Sequence, residues 1–450
     1  MGATIGTVAT PGTLGPILKD YYIGPLQEQL NNEVMVLQMF EKAKISWAGR
    51  QGIVPVHVGR NTGVGFRGEN ADWSTGATAL AAGSQTTKRL SFEAAYLYGR
   101  FEVTGPAIAS AAKGGTASFI GALELEMDKL KEDIRNQADV SAISGGRVVG
   151  FLNQRKAEVG AANWEFRGNF AKLAAAQVAK GGNFDIAVVD CSNNTLTGEA
   201  VTYEFITTTA SVNTGNVGFS PSTGTIHLTG ALDTTGVAVG FGAALVISDA
   251  DPALVYLDQE PTGIYGNLGY VSLFGVDRGS TLPTGAAGDA MELQSVIMVE
   301  DLDSNGDAEA LSLPRMQETI DAINITSGMT PDVILMNPID RAKYISLLQN
   351  SIQMNPQGSA QSGDAGFLGL AYAGIPIKAA RHVDRSLMLF LNTKCWKLAV
   401  LEDGKFADLD GSVLSRVSGK DSFEGFYKWY YNHYCYRPNA QGVLTGISYT

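Results

Sequence analysis

Cysteine is scarce in this sequence: Cys191, Cys395 and Cys435 are its only three, too few and too scattered for a disulfide framework or a zinc cluster. They read as buried free thiols in a reducing compartment. Basic charge is also short, with 33 Lys and Arg against 45 Asp and Glu and a net charge of -12. Phosphate contacts need clustered cations, so gripping nucleic acid is not the main work of this chain, and any DNA nearby is enclosed and not read. The four histidines, His57, His227, His382 and His433, are isolated from one another, with no H-E-x-x-H or comparable spacing, and no metal site is expected. No apolar run approaches the ~20 residues of a membrane helix, and no charged-then-apolar leader opens the chain. No membrane partner is expected, and assembly is placed in a cytoplasm. The opening MGATIG has Gly6 where N-myristoylation needs Ser or Thr.

What is present describes an ordered protein. Hydrophobic residues make up 45% and charged residues 17% of 450 positions, a balance that lets two or three subdomains of roughly 100 to 200 residues each bury a core. Residues 18–42 show helical apolar spacing broken at Gly24-Pro25 and Asn31-Asn32, which predicts short helices separated by kinks. Ile53 to Val58 reads as a strand and Lys88 to Thr104 as a second, longer one. Between them lie about thirty residues, far more than the ~2 to 5 of an ordinary hairpin loop. In the next stretch Ile120, Leu123, Met127, Leu130 and Ile134 recur at +3 and +4, predicting a long amphipathic helix over 116–142, capped by Thr116 or Ser118. A second helix is expected near Phe170 to Lys180.

From about 185 to 280 the composition shifts to Gly, Thr, Val and Ser, and runs such as IAVVD, GTIHLTG and ALVISD predict short antiparallel strands in a compact barrel or sandwich. Beyond residue 313, PRMQETIDAINITSG reads as a helix with Met316, Ile320 and Ile323 inward, PDVILMN as a strand and PIDRAKYISLLQN as a helix. Further strands follow in SLMLFLNTKCWKLAVL, SVLSRVS and the aromatic FYKWYYNHYCYR, whose alternation reads as cross-strand packing. Helices and sheet share one α+β body.

Motifs of chemistry are weak. GVGFRG at 63–68 spells G-x-G-x-x-G after a strand, but ENADWSTGATALAAG after it starts no amphipathic helix, so dinucleotide binding, and an NAD-dependent enzyme with it, is not expected. DLDSNGD at 301–307 imitates a calcium loop, yet Ser312 occupies the twelfth position where Glu belongs. SGKD at 418–421 lacks the rest of a phosphate loop, and there is no G-x-S-x-G elbow. No catalytic residue, cofactor or metal is expected.

A long arm between two strands, a one-striped helix, an α/β unit and a terminal β segment follow in an order that resembles the major capsid protein of tailed bacteriophages, the Hong Kong 97 fold. LQEQLNNEVMVLQMFEK with WAGRQGIVPVHVGRNTGVGFRGE looks like that family's N-terminal arm entering its extended loop, and SGMTPDVILMNP with GFLGLAYAGIPIKAARHVD looks like its axial domain. The resemblance implies an N-terminal arm over 1–50, an extended loop over 51–104 and a peripheral domain with a spine helix over 105–155. It implies an inserted antiparallel β domain over 156–300, an axial domain over 301–385, peripheral strands over 386–425 and an axial C-terminal segment over 426–450.

The function so implied is an icosahedral virion shell of hexamers and pentamers enclosing double-stranded DNA, assembled in a host bacterial cytoplasm, with scaffolding and portal proteins as partners and a decoration protein as a further one. With the loop beginning by residue 50, a separate scaffolding protein is implied. An encapsulin-type nanocompartment shares the fold and stands as the rival; a carbohydrate-binding surface protein is the alternative from another class. A two-stranded arm stabilises itself poorly in water, so it needs a neighbour, and in a shell each arm lies over the next subunit. Arg60, Arg67, Glu69, Asp72, Lys88 and Arg89 are the candidates for charge pairing between subunits, and Phe66 and Trp73 the apolar anchors. Exposed pairs contribute ~0 to 1 kcal/mol each, so cohesion rests on repetition and apolar burial.

Overall fold

The computed structural model describes residues 34–43, 51–61, 63–66, 69, 83–106, 116–151, 154–158, 161–166, 172, 176, 179–181, 184–190, 195–203, 218–220, 225–229, 243–247, 251–261, 263–268, 276–277, 295–300, 309–349, 370–407 and 414–447. Two sheets form the body. The first has six strands in the order β14 (Val296–Val299), β22 (Gly442–Thr445), β18 (Met388–Leu391), β15 (Val333–Met336), β17 (Ile375–Ala379) and β16 (Ala371–Tyr372). Strands β15, β18 and β22 are buried at every position. That is why VILM, MLFL and GVLT carry no polar alternation: both faces are covered. Ile334 and Met336 point to one face, where Met316, Ile320 and Ile323 of α3 (Leu313–Ser327) meet them, and α4 (Pro338–Gln349) adds Tyr344. Val333 and Leu335 point to the other face, into a cluster around Trp396. Helix α3 starts where Ser312 Oγ accepts from Arg315 N at 3.4 Å and ends at Gly328, whose φ of 68° closes the last turn on Asn324 O at 2.7 Å.

In the second sheet β21 (Ser422–Cys435) is the shared strand. It pairs antiparallel with β4 (Ala95–Thr104), β19 (Trp396–Phe406) and β20 (Leu414–Arg416), and β1 (Glu41–Lys42) adds in parallel to β19. Helix α1 (Thr116–Ser144) lies across one face. Gly99 of β4 admits it: a Cβ there would sit 2.5 Å from Ile134 Cδ1. The predicted stripe holds where side chains are described, with Ile134 buried and Met127 and Leu130 half-buried; the Ile120 and Leu123 side chains lie outside the described residues. Beyond the stripe, Ala138, Ser141, Ala142, Ile143 and Ser144 are all buried, so the end of α1 is enclosed on several sides.

A strap from residue 34 crosses this end, with Val36 N and Leu37 N both donating to Asp139 Oδ1 at 2.9 Å. Phe40 then stacks on Trp396 at 5.1 Å and on His433 at 5.6 Å between ring centroids. Of the kinked helices expected over 18–42, the described part holds one 3-10 turn, Leu37–Met39, and ends in the strand β1; residues 18–33 lie outside the described residues.

The arm is a hairpin of β2 (Gln51–Gly59) and β3 (Thr86–Glu93), with the short β13 (Val276–Asp277) beside β3, in the order β13-β3-β2. The strand expected over Lys88 to Thr104 is two strands, broken at Ala94, because β3 turns to β2 while β4 turns to β21. The hairpin's base is not free of its own molecule: Phe92 stacks on Tyr434 at 4.5 Å, and Val54 and Val56 pack on the same cluster.

The middle of the chain forms two antiparallel sheets, β10 (Gly218–Ser220), β11 (Thr225–Thr229), β7 (Ala161–Phe166) and β6 (Gln154–Glu158) in one, and β5 (Val148–Phe151), β12 (Ala243–Ile247), β8 (Phe184–Asp190) and β9 (Thr195–Tyr203) in the other.

The expected 156–300 unit is not continuous. Residues 252–268 return to the body as a 3-10 turn with buried Leu254 and Leu257, followed by α2 (Gly263–Leu268), whose Ile264 and Tyr265 join the Trp396 cluster. The close approach explains two glycines, since a Cβ on Gly145 would lie 1.7 Å from Pro261 O and one on Gly263 would meet Gly145 N at 2.3 Å. β14 likewise belongs to the six-stranded sheet.

The later intervals each contribute strands to both sheets. Within 386–425, β18 sits in the six-stranded sheet and β19 in the other; within 426–450, β21 and β22 part the same way. Both crossings between sheets meet at Gln441, whose Oε1 accepts from Asn392 N at 2.8 Å and Trp396 Nε1 at 3.1 Å.

His433 is fully buried, and burial pushes its pKa down to about 3. The unfolded chain, titrating near ~6.5, takes up the proton first. Folded stability attributable to this residue is therefore complete above about pH 6.5 and is lost as the pH falls toward 3. Urea unfolding of the unassembled chain at pH 7 and pH 4 is expected to show a His433→Phe variant gaining roughly 3 kcal/mol on the wild type between the two conditions. Parallel pH profiles would contradict this assignment.

Candidate functional site

Of the eight arm residues singled out in the sequence, three have described side chains. Arg60 follows β2 and is exposed; Phe66 is fully exposed, with Val64 beside it; Glu69 is exposed in a turn. Lys88 and Arg89 stand in β3, opposite Val56 and Pro55, with their side chains outside the described residues, as are Arg67, Asp72 and Trp73. Phe66 and Glu69 lie further along the chain than Arg60, past an Asx turn in which Gly63 N donates to Asn61 Oδ1 at 2.7 Å. Of GVGFRG, Gly63 to Phe66 are described, and they form a turn and irregular chain; Arg67 and Gly68 lie outside.

A second surface was not singled out by sequence reasoning. Along β4 the residues Tyr96, Tyr98, Arg100 and Glu102 face outward, and their partners on β21 are Tyr430, Lys428, Phe426 and Glu424. Directly opposed residues share a face. Tyr98 Oη donates to Tyr430 Oη at 3.2 Å, Arg100 pairs with Glu424 at 2.7 Å, and Lys428 pairs with Glu402 at 3.0 Å. The Lys405 and Lys428 hydrogen bonds hold the Glu402 carboxyl below its usual range. Within the aromatic run Tyr431 and Tyr434 are core, as the packing reading expected, while across the sheet on β4 Tyr96 and Tyr98 are surface and flank a groove of about 490 Å³ reaching Tyr256 and Glu260. Period-two alternation in YLYGRF was the signal that one of its faces is open.

Among the described residues the interior holds a cluster of titratable groups at Lys172, Glu260 and Asp384. Lys172 Nζ donates to the carbonyls of Ser144 and Val148 and pairs with Glu260 at 3.1 Å. Asp384 N donates to Tyr265 Oη at 3.0 Å. Burial pulls the Lys172 pKa down, against Glu260, and pushes the Asp384 carboxyl well above the usual range. Lys172 and Asp384 are each only 8% exposed. The three N–H bonds of Lys172 are directed at a helix end, a strand and a carboxylate, so it pins α1 to β5 and residue 260.

The other sequence candidates fall apart in space. His57 Nε2 meets Gln85 Oε1 at 2.6 Å, His382 accepts from Arg381, and Cys395 and Cys435 are buried free thiols. Among the described residues no three His, Cys, Asp or Glu side chains form a metal-binding group, and no helix is long and apolar enough to cross a membrane. The acidic run 301–307 and Cys191 lie outside the described residues; Ser312, the residue that breaks the calcium pattern, is the cap of α3.

No family model matches the sequence, and no curated protein matches it. Solved structures do. A capsid asymmetric unit of cyanophage A-1(L) matches with a TM-score of 0.56 at 13% identity, over 98% of this chain and 99% of that one. The capsid of a native GTA particle covers 98% of this chain and 100% of its own at TM-score 0.48 and 9% identity. A structure of Gordonia phage Cozz covers 98% and 93% at TM-score 0.44 and 10% identity. Nearly from end to end, the chain has the mixed α+β fold of a phage capsid structure.

Removing one partner of a buried ion pair strands the other, at a cost of about 3 kcal/mol or more. Lys172→Ala is accordingly expected to lower the urea-unfolding free energy of the unassembled chain by roughly 3 kcal/mol. A change below about 1 kcal/mol would show that Lys172 pins nothing.

Proposed function

We propose that this chain is the major head subunit of a tailed bacteriophage, self-assembling into a closed icosahedral shell of hexamers and pentamers around double-stranded DNA, with no active site of its own. The observation that carries the reading is the hairpin, seated on its own body at the base through Phe92 and Tyr434 and presenting Val64, Phe66 and Glu69 to the outside beyond β2. Apolar side chains left in water at the tip of a ribbon gain only by burial against another surface, and in an assembly of identical copies that surface is the next subunit. The whole-chain match to the cyanophage capsid fold supports the same reading.

In this reading the hairpin is the extended loop, and β4, β19, β20 and β21 with α1 form the peripheral domain around its spine helix. The six-stranded sheet with α3 and α4 is the axial domain, and the β5 to β12 strands are an inserted β domain. A net charge of -12 suits a container that must not adhere to its cargo. Scaffolding and portal proteins, and a decoration protein on the finished shell, are the partners this role calls for.

Replacing residues 61–85 by a short Asn-Gly turn keeps the β2–β3 pairing and its packed base. The expected product is a folded subunit, with circular dichroism and melting close to wild type, that forms no closed shells by electron microscopy when expressed with its genomic neighbours. Normal particles from this variant would overturn the assembly role of the hairpin.

A further inference from the structure

Beside the hairpin's base lies a cleft of about 590 Å³ that contacts through the hairpin's outer end leave unused. One wall is the end of β2, with Val56, His57 and Arg60; another is the last turn of α3 at Ile325; the third is the segment after β21, with Arg437 and Asn439. Val56 and His57 are consecutive, so their side chains leave opposite faces of the strand. One cavity meets both only by reaching round the strand's edge. β3 occupies one edge of β2, and among the described residues no strand pairs with the other. The cleft therefore opens on a row of main-chain donors and acceptors, the template to which an extended chain adds.

The walls select the kind of chain. Among the described lining residues the charged ones, Arg60 and Arg437, are basic, His57 lies between, and none is Asp or Glu, in a protein of net charge -12. Arg437 is partly engaged, donating to the Ser327 carbonyl and lying 3.2 Å from Met329 Sδ, where it caps α3. Arg60 is exposed and has no ion-pair partner among the described residues. Asn439 is only 8% exposed, yet its Oδ1 meets no donor. Such an acceptor waits for an N–H. Ile325, 86% exposed, supplies an apolar foothold at the rim.

We infer that the cleft binds an extended, carboxylate-bearing peptide, laid as an added strand along the free edge of β2, with a main-chain N–H meeting Asn439 Oδ1 and an acidic side chain meeting Arg60. The inference concerns the cleft and not the apolar tip at Val64 and Phe66, and it assigns Arg60 to the cleft in place of pairing between subunits.

Fluorescence anisotropy of the unassembled full-length chain with a labelled short peptide of alternating Val and Glu tests it. Saturable binding is expected, lost when Lys replaces Glu in the peptide and weakened about tenfold or more by Arg60→Glu. Because one edge of the added strand pairs, N-methylation at one set of alternate residues is expected to abolish binding while the other set is tolerated. A second probe with the chain's own acidic run, residues 300–307, reads whether another copy supplies the strand; binding by either peptide supports the inference. Absence of saturable binding by both overturns it, as does binding that is indifferent to Arg60→Glu or to both N-methylation patterns, or that oligothymidylate displaces as well as acidic peptide does.

Discussion

A β-hairpin stabilises only as much of itself as lies against something else, and in this protein that limit falls partway along β2 and β3. At the base, Val54, Val56 and Phe92 are held by Ala399, Tyr434 and Tyr436, so the ribbon leaves the body from a fixed seat. Past Gly59 the described side chains turn outward. The seat is itself built on β19 and β21, the two longest strands of the second sheet, so the arm's base is tied to that sheet. An arm that leaves from a rigid seat loses less conformational freedom on docking than one that swings from a loop, which favours repeated weak contacts adding up to a closed assembly.

The body that provides this seat is locked by a few buried polar groups. Gln441 holds both places where the chain passes between the sheets, Asp139 takes two main-chain donors from the strap, and Lys172 joins a helix end to a neighbouring strand. Each is satisfied in one arrangement only, so each converts a hydrophobic assembly of layers into a specific one. His433, enclosed with Phe40 and Trp396, contributes shape and no charge near neutral pH.

Local features were legible where local physics decides them. The helix over 313–327 carries its own punctuation in Ser312 and Gly328, and the α1 stripe follows from apolar spacing alone. Sheet membership was not legible, because alternation tells which side of a strand is buried but not which strand lies beside it. β18 and β19, adjacent in sequence, therefore went to different sheets without a signal, and residues 252–268 were hidden beside a Gly- and Thr-rich stretch. The arm's exposed end was readable from the long interval between two strands. The open face of β4 and the cleft at Arg60, Arg437 and Asn439 were not, since residues more than 300 positions apart make them.

The account turns on where the far end of the hairpin finds its contacts. A cryo-electron microscopy reconstruction of particles assembled from the wild-type chain locates it directly. Residues 63–69 are expected to lie against an adjacent copy, with Val64 and Phe66 covered by that copy's surface. A map in which the same residues fold back on their own subunit, or remain in solvent within a closed shell, would contradict the account.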